Sequence, residues 1–434
     1  MPRPADPPPD PTPSPPHRPA AADRRGLRRR LLRRLLRLIP LLLLLAWPRL
    51  VGCADAEAPP TPRQLIQSLR AAALQTLRDT GGVRQDGHVY AVDVGQLATF
   101  AALAQDRPLY TPLRAIILEQ LLVTRVPGDP AHGMVGWRYH PDPAPGQLAV
   151  DASGTTEALR AAEALFRGSQ AFPEFKDDLD TVALILDAYA RHATVDGQTW
   201  MIRNYFNLDP RVYTYSTNSF LVDYDPDLIQ ELADARDRAD WRELARQSAD
   251  LIEKARTPVG LLHQMIRPEV RTIMPALLPE GIYSANGIEQ LNNVLTVAER
   301  CVRTRPEIAR AAAAFCRDRL DDLRLYYLAD TGGPIPDPAA RASPGPETWG
   351  PLLRLAVKLG DAPLRDHARD RLIHTSASLA DRPAADQLYL LGESLLALQY
   401  AVDPRFSGFA DDTAEPAPAL PATPAAPTAP EPRP

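Results

Sequence analysis

The sequence predicts an all-α domain whose helices pair into six hairpins and close into a ring, with disordered segments at both ends. Three observations carry that prediction. Apolar residues recur at three- and four-residue spacing in segment after segment, the period of an amphipathic helix. These segments alternate between two kinds, one with polar, charged outer faces and one more apolar or Ala-rich. The second kind begins at residues 93, 153, 218, 285, 347 and 384. Successive gaps of 60, 65, 67, 62 and 37 residues form a near-constant period, the mark of a stacked supersecondary unit. Links from the second kind to the first are short, and links in the other sense are long. Long loops therefore gather at one end of a rigid frame, where binding surfaces are usually built. The competing arrangement is an open helical solenoid.

The outer helices are expected at 62–79, 110–125, 175–193, 239–256, 306–328 and 363–374, and the inner ones at 93–105, 153–167, 218–235, 285–302, 347–360 and 384–402. Pro62, Pro306 and Pro363 fall in first turns, where a missing N–H costs little. Asp93 starts one inner helix as a cap. Ser153, with Thr155 or Thr156 and then Glu157, supplies an N-cap and an acidic first turn to the next. Gly360 stops the helix ending at Lys358-Leu359. Short extended pieces are expected at Val135 to Tyr139 and Val212 to Tyr215. The long loops, 126–152, 194–217, 257–284 and 329–346, hold Trp137, Tyr139, Trp200, Tyr205, Phe206, Tyr213, Tyr215 and Tyr283.

The ends of the chain read differently. An Arg-rich stretch from Arg24 to Arg37 precedes the apolar run Leu38 to Trp47, and Leu50-Val51-Gly52-Cys53 follows. That run is shorter than the ~20 residues a spanning helix needs. It matches the apolar region of a secretory signal ending in a lipidated cysteine. The alternative is a short basic amphipathic helix lying on a membrane. The expected organisation is a signal region over 1–52, a lipidated tether over 53–61 starting at Cys53, the helical domain over 62–405, and a disordered Pro/Ala-rich tail over 406–434. Ala54, following the lipidated cysteine, leans toward an outer-membrane protein facing the periplasm.

Net charge is −5 for the whole chain and +8 for its first 52 residues, which leaves −13 for residues 53–434. An acidic body argues against nucleic-acid binding, and it repels anionic lipid, so the acyl chains must hold it at the membrane. Cys301 and Cys316 sit at unequal depths on either side of one turn and read as buried thiols rather than a disulfide. No Cys/His spacing suggests a metal site, and no cofactor is implied.

Several stretches resemble the family 8 glycoside hydrolases, which share the (α/α)6 toroid. Val92-Asp93-Val94-Gly95-Gln96 is similar to that family's Val-Ser-Glu-Gly-Gln at the start of an inner helix. Asp106-Arg107-Pro108-Leu109-Tyr110 resembles its turn into the next outer helix, and Gly136-Trp137-Arg138-Tyr139 its Trp-Arg-Tyr segment. Asp151-Ala152-Ser153-Gly154-Thr155-Thr156-Glu157-Ala158-Leu159 sits where its acidic Asp-x-Asp motif opens the next inner helix. Order and spacing agree over residues 89–168. The family's general-acid glutamate falls on Val94, and Ser153-Gly154-Thr155 replaces the second acidic motif, leaving Asp151 nearby. The resemblance thus implies a toroid and a sugar-binding rim, with a polysaccharide as partner, and leaves the catalytic pair to be found.

Glycoside hydrolysis needs two carboxyl groups flanking the bond. Residues at the loop-rich ends of inner helices are Asp93, Asp151, Glu157, Asp223 with Asp225, and Glu289. Asp93 or Glu157 would act as acid, and Asp151, Asp223 or Glu289 as base. Each has a structural alternative: a cap for Asp93, loop or cap for Asp151, a capping-box partner for Glu157, turn acids for Asp223 and Asp225, and a helix N-terminal preference for Glu289. Gln96, Trp137, Tyr139, Tyr215 and Tyr283 are the expected sugar-binding residues. Trp137 and Tyr139 have core packing as the alternative. His88, His132 and His263 read as ordinary loop residues. Two functions follow: an anchored glycoside hydrolase-like enzyme acting on an extracellular or periplasmic polysaccharide, or an inactive polysaccharide-binding or envelope-assembly lipoprotein on the same fold.

Overall fold

The computed structural model describes residues 60–406 apart from 192–193, 196–197, 200–204, 211–218, 268–280, 284, 336–342 and 382–383. The signal region, Cys53, the extended piece expected at Val212 to Tyr215 and residues 407–434 lie outside the described residues. Twelve α-helices occur among the described residues: α1 (Pro62–Thr80), α2 (Ala91–Leu103), α3 (Arg107–Ile116), α4 (Thr155–Ala171), α5 (Asp178–Arg191), α6 (Pro226–Arg236), α7 (Ala239–Lys254), α8 (Leu291–Glu299), α9 (Pro306–Arg317), α10 (Pro346–Leu359), α11 (Ala362–Ser376) and α12 (Leu388–Val402).

Even-numbered helices form the inner ring. α2 packs on α4, α4 on α6, α8 on α10, and α10 on α12, while the turn Leu221–Asp223 bridges the α6 side to α8. α12 then packs against α2 as well as α1, so the last inner helix meets the first and the ring is closed. The fold is an all-α toroid of six hairpins, and the open solenoid is excluded. Inner helices are buried nearly all round, as α2 and α10 show, whereas outer helices carry one buried stripe.

Local chemistry repeats at three helix starts. Asp106, Asp225 and Asp361 each accept a hydrogen bond from the backbone N–H three residues on, at 3.4, 3.1 and 3.2 Å. A proline occupies the first turn that follows each of them. Gly360 ends α10 in the left-handed region at φ 69°. Cys301 and Cys316 are buried free thiols, and burial pushes Cys316 up to about 12.

Two inner helices are shorter than their apolar pattern suggests. The third, expected over 218–235, begins at Pro226. Proline disfavours helical backbone in the residue before it, and Asp225 is extended at φ −140°. Its upper part is a strand, Ser219–Phe220, and a 3-10 turn, Leu221–Asp223. The fourth, expected over 285–302, is interrupted where Asn286 (φ 58°) and Gly287 (φ 69°) are left-handed. A strand, Ile288–Gln290, pairs there with Tyr326–Leu328, which removes residues 320–328 from the outer helix expected to reach them. Asp93 is not a cap, because α2 starts two residues earlier, and Gly154 rather than Ser153 is the N-cap of α4. The extended piece at 135–139 is present: Arg138–Tyr139 pairs with Val89–Tyr90.

The centre of the ring is charged. Arg160 of α4 bonds Glu163 at 2.6 Å and Asp225 at 2.7 Å, and Arg300 lies 3.5 Å from the same Asp225. Arg354 of α10 joins Glu299 at 2.8 Å to Glu393 of α12. Lys358 bonds Glu299 at 2.8 Å, and Gln96 of α2 donates to Glu393 at 2.9 Å. All but the partly buried Lys358 are at most 7% exposed. Four cations thus face four anions, and all six inner elements contribute. Close approach requires glycine at position 95, where a Cβ would come within 2.8 Å of the Arg160 Cβ. Removing one member of such a cluster strands its partners. Arg354→Leu is therefore expected to destabilise the domain by about 3–5 kcal/mol, measured by chemical denaturation; a loss below about 1 kcal/mol would show that the cluster does not hold the ring.

Candidate active site at the loop-rich mouth

The first three long loops return to an inner element through a short extended segment, α2 is entered through another, and these segments stitch the mouth of the toroid. Val89–Tyr90 pairs with Arg138–Tyr139, Ala152–Gly154 with Tyr205–Asn207, Ser219–Phe220 with Met265–Arg267, and Ile288–Gln290 with Tyr326–Leu328. The inner elements thereby enter the ring at a fixed height, with their first side chains around the mouth.

Glu157, in the first turn of α4, is partly buried. Its carboxyl folds back over Gly154, where an added Cβ would collide with it. Burial pushes it up to about 7, opposed by a hydrogen bond to its own backbone and reinforced by the charge of Asp223. Asp223 is 5% exposed. Its Oδ1 accepts from the Thr156 hydroxyl at 2.7 Å, and its Oδ2 from the Phe220 N–H at 3.1 Å. Burial raises it to about 6 despite those bonds. Glu157 thus lies near enough to Asp223 for the charge of Asp223 to add to its rise, and burial raises both carboxyls.

The remaining sequence candidates are placed differently. Asp93 is 1% exposed and accepts two hydrogen bonds from Arg84, at 2.9 and 2.7 Å. Burial carries its carboxyl to about 6, with Arg84 acting against the rise. Val94, at the resembled acid position, is 2% exposed and packs in the core. Asp151 lies open on the rim, where it accepts from Trp137 Nε1 at 3.1 Å and from Arg138 at 3.4 Å. Glu289 is fully buried, with Oε1 3.3 Å from His263 Nδ1. Burial lowers His263 from its ordinary value, with the charge of Asp330 acting against it. His263 is thus a partner of a buried carboxylate rather than a bystander in its loop.

Among the expected sugar contacts, Gln96 is buried in the charge cluster. Trp137 is half-buried, with the Arg138 guanidinium 4.3 Å from its ring centroid and Tyr90 edge-on at 5.6 Å. Tyr139 is half-buried and packs against the core. The Tyr283 backbone pairs with Met265, and Tyr215 falls outside the described residues. On the other side of the cluster, toward the C-terminal ends of the inner helices, lies a cavity of about 110 Å³. Its carboxylates are all engaged, as in Arg167 with Glu231 and Asp227 with the turn at Arg303 and Thr304. No group of three or more side chains able to hold a metal ion occurs among the described residues.

Sequence reasoning passed over Arg84, Phe220 and the charged cluster, and read Thr156 only as part of a helix start and His263 as an ordinary loop residue. The cluster had one signal: Glu393 is the lone charge on the otherwise apolar α12. Arg84 and His263 had none, being loop residues whose partners are set by tertiary structure.

No family model and no curated relative matches the chain. Solved structures do. An α-amylase from Clostridium perfringens superposes with a TM-score of 0.56 at 16% identity, covering 72% of this chain and 86% of that one. An endo-β-1,4-glucanase from Acetobacter xylinum gives 0.54 at 15%, covering 79% and 99%. A GH8 endo-β-1,4-glucanase from an Achatina fulica gut metagenomic library gives 0.52 at 15%, covering 77% and 96%. The likeness is one of fold: this chain has the toroid found in those glycoside hydrolases.

A raised folded-state pKa for Glu157 has a consequence for stability. Protonated Glu157 fits its site, so the fold loses stability as pH rises from its ordinary value of 4.5 through about 7. Glu157→Gln removes that loss. The melting temperature of the variant is expected to exceed that of the parent at pH 8 and to equal it at pH 4.5; an equal difference at both pH values would contradict the assignment.

Proposed function

We propose that the chain is a glycoside hydrolase acting on an extracellular or periplasmic polysaccharide, with Glu157 as general acid and Asp223 as its carboxylate partner. The carrying observation is the pair itself: one carboxyl raised to about 7 beside a second near 6, at the loop-rich mouth of a toroid. Environments that push two carboxyls apart assign acid and base roles. Glu157 donates its proton to the glycosidic oxygen as the C–O bond breaks. Asp223 takes a proton from the water that attacks the anomeric carbon, or attacks that carbon itself if the carboxyls sit closer. Asp93, held by Arg84, and Glu289, buried against His263, are assigned to support of the site. The acidic body favours a neutral or cationic glycan, and structures of the same fold are named as an α-amylase and an endo-β-1,4-glucanase.

A second reading is favoured by one observation. The resembled acid position is Val94, buried in the core, which fits a protein that binds polysaccharide without cleaving it. Reducing-end release separates the two. Purified protein is expected to release reducing ends from one member of a panel of neutral and partly deacetylated glucosamine polymers. Glu157→Gln and Asp223→Asn should each lower kcat/KM by about 10²–10⁴-fold, and Asp93→Asn by less than about tenfold. The pH profile should be a bell with limbs near 6 and 7, because Asp223 must be ionised and Glu157 protonated. Binding without release from any polymer would leave the second reading.

The reading places the protein on the cell envelope through a lipidated Cys53, supported by the Leu-Val-Gly-Cys run after the apolar stretch. No helix among the described residues is long and apolar enough to cross a membrane. Cys53→Ala is expected to abolish incorporation of labelled palmitate and to shift the protein from the membrane fraction to the soluble one.

A further inference from the structure

Phe220, at the entry to the third inner element, is an exposed aromatic side chain, at 39%. Its neighbour Leu221, the first residue of the 3-10 turn that follows, is 1% exposed, so the chain sends one side chain into the core and leaves the one before it open to solvent. Cross-strand pairing with Met265 fixes the Phe220 backbone. The Phe220 N–H binds Asp223 Oδ2 at 3.1 Å, while Thr156 binds the other oxygen of the same carboxylate. An exposed apolar ring is thus tied, through its own backbone, to a member of the carboxyl pair.

The stacking role expected of Trp137 has little room. One partner of its ring is the Arg138 guanidinium, its edge meets Tyr90, and its indole N–H is given to Asp151. Phe220 has no such engagement of its ring among the described contacts. A phenyl ring offers dispersion and apolar contact without a polar handle. It matches the face of a pyranose on which axial C–H groups lie. The hydroxyls around that sugar's edge would meet the neighbouring carboxyls. A sugar carrying its own carboxylate would meet Asp223 and Glu157 as like charges.

We propose that Phe220 is the stacking platform of the subsite at the carboxyl pair, and that it takes a neutral pyranose with an apolar, axial-hydrogen face. This rests on the reading of Glu157 and Asp223 as the working pair. The contact to Asp223 is made by backbone, so replacing the side chain leaves the carboxylate supported and isolates the platform.

The test uses full-length protein in detergent with neutral gluco- and xylo-configured oligosaccharides of both anomeric linkages. Titration calorimetry in a Glu157→Gln background reads binding without turnover. Phe220→Ala is expected to weaken affinity for the preferred neutral oligosaccharide about tenfold, the size of one good aromatic contact. Phe220→Trp is expected to restore it. In otherwise unsubstituted protein Phe220→Ala should raise KM about tenfold and change kcat by less than about threefold. Unchanged affinity in Phe220→Ala, while Asp223→Asn abolishes hydrolysis, would overturn the platform and leave the pair standing. A loss in kcat with KM unchanged would also overturn it, since the position would then act only on the carboxylate. Absence of both binding and hydrolysis in the parent protein would overturn the pair and the platform together.

Discussion

Closing six hairpins into a ring forces the inner helices against one another at the centre, and this protein fills that centre with paired charge. Arg160, Arg300, Arg354 and Lys358 face Glu163, Asp225, Glu299 and Glu393, with Gln96 completing the circuit to α2. Withdrawing eight charges from water is expensive, and their mutual attraction repays it only when every partner is in place. The arrangement therefore discriminates more than it stabilises: an open or shifted stack would leave buried charges without partners. Burial lowers Arg300, and the nearby Arg160 guanidinium adds to that, which shows how closely like charges are held once the ring shuts. Glycines on α2 and α10, at positions 95 and 350, give the Arg160 and Glu393 side chains their space.

The cluster also decides where chemistry has room. It occupies the centre of the ring, drawing on Gln96, Arg160, Arg354 and Glu393 from within their helices and on Asp225 and Arg300 from helix ends, so the chemistry left open lies above it at the mouth. The third and fourth inner elements abandon helix at that height, at Pro226 and at Asn286-Gly287. The extended Ser219–Phe220 strand and the turn through Asp223 are what bring a carboxylate beside Glu157. A continuous helix would have carried residues 219–223 past it. Desolvation there raises both carboxyls, and the protein bears that cost at a place where proton transfer can use it.

Much of the frame was legible from the chain. The 3.6-residue period, the Asp and Pro punctuation at turns, and the spacing of inner segments placed all twelve helices and the loop-rich end. The inner-helix errors were at the starts of α6 and α8, where apolar residues continue at helical spacing although the backbone does not; α9 also stops at Arg317, well short of the expected 328, and the caps expected at Asp93 and Ser153 fell elsewhere. Pattern alone cannot separate a helix from a buried strand over a few residues, and only Pro226 carried a local warning. For the candidate site, sequence singled out acids at the starts of inner elements, and the structure takes one of them, Asp225, into the charge cluster. Sequence could not say which were already engaged, because Arg84 with Asp93 and His263 with Glu289 are pairings made across turns and loops.

The sequence by itself determined the helical period, the hairpin turns and the side of the domain on which acids and aromatics collect, because each of these is a local property of spacing and capping. Tertiary structure alone decided that α12 meets α2, that Asp223 stands beside Glu157, and that Phe220 faces outward while Trp137 lies under Arg138. Those outcomes depend on distances between residues far apart in the chain and on the withdrawal of water around them, neither of which a linear pattern records.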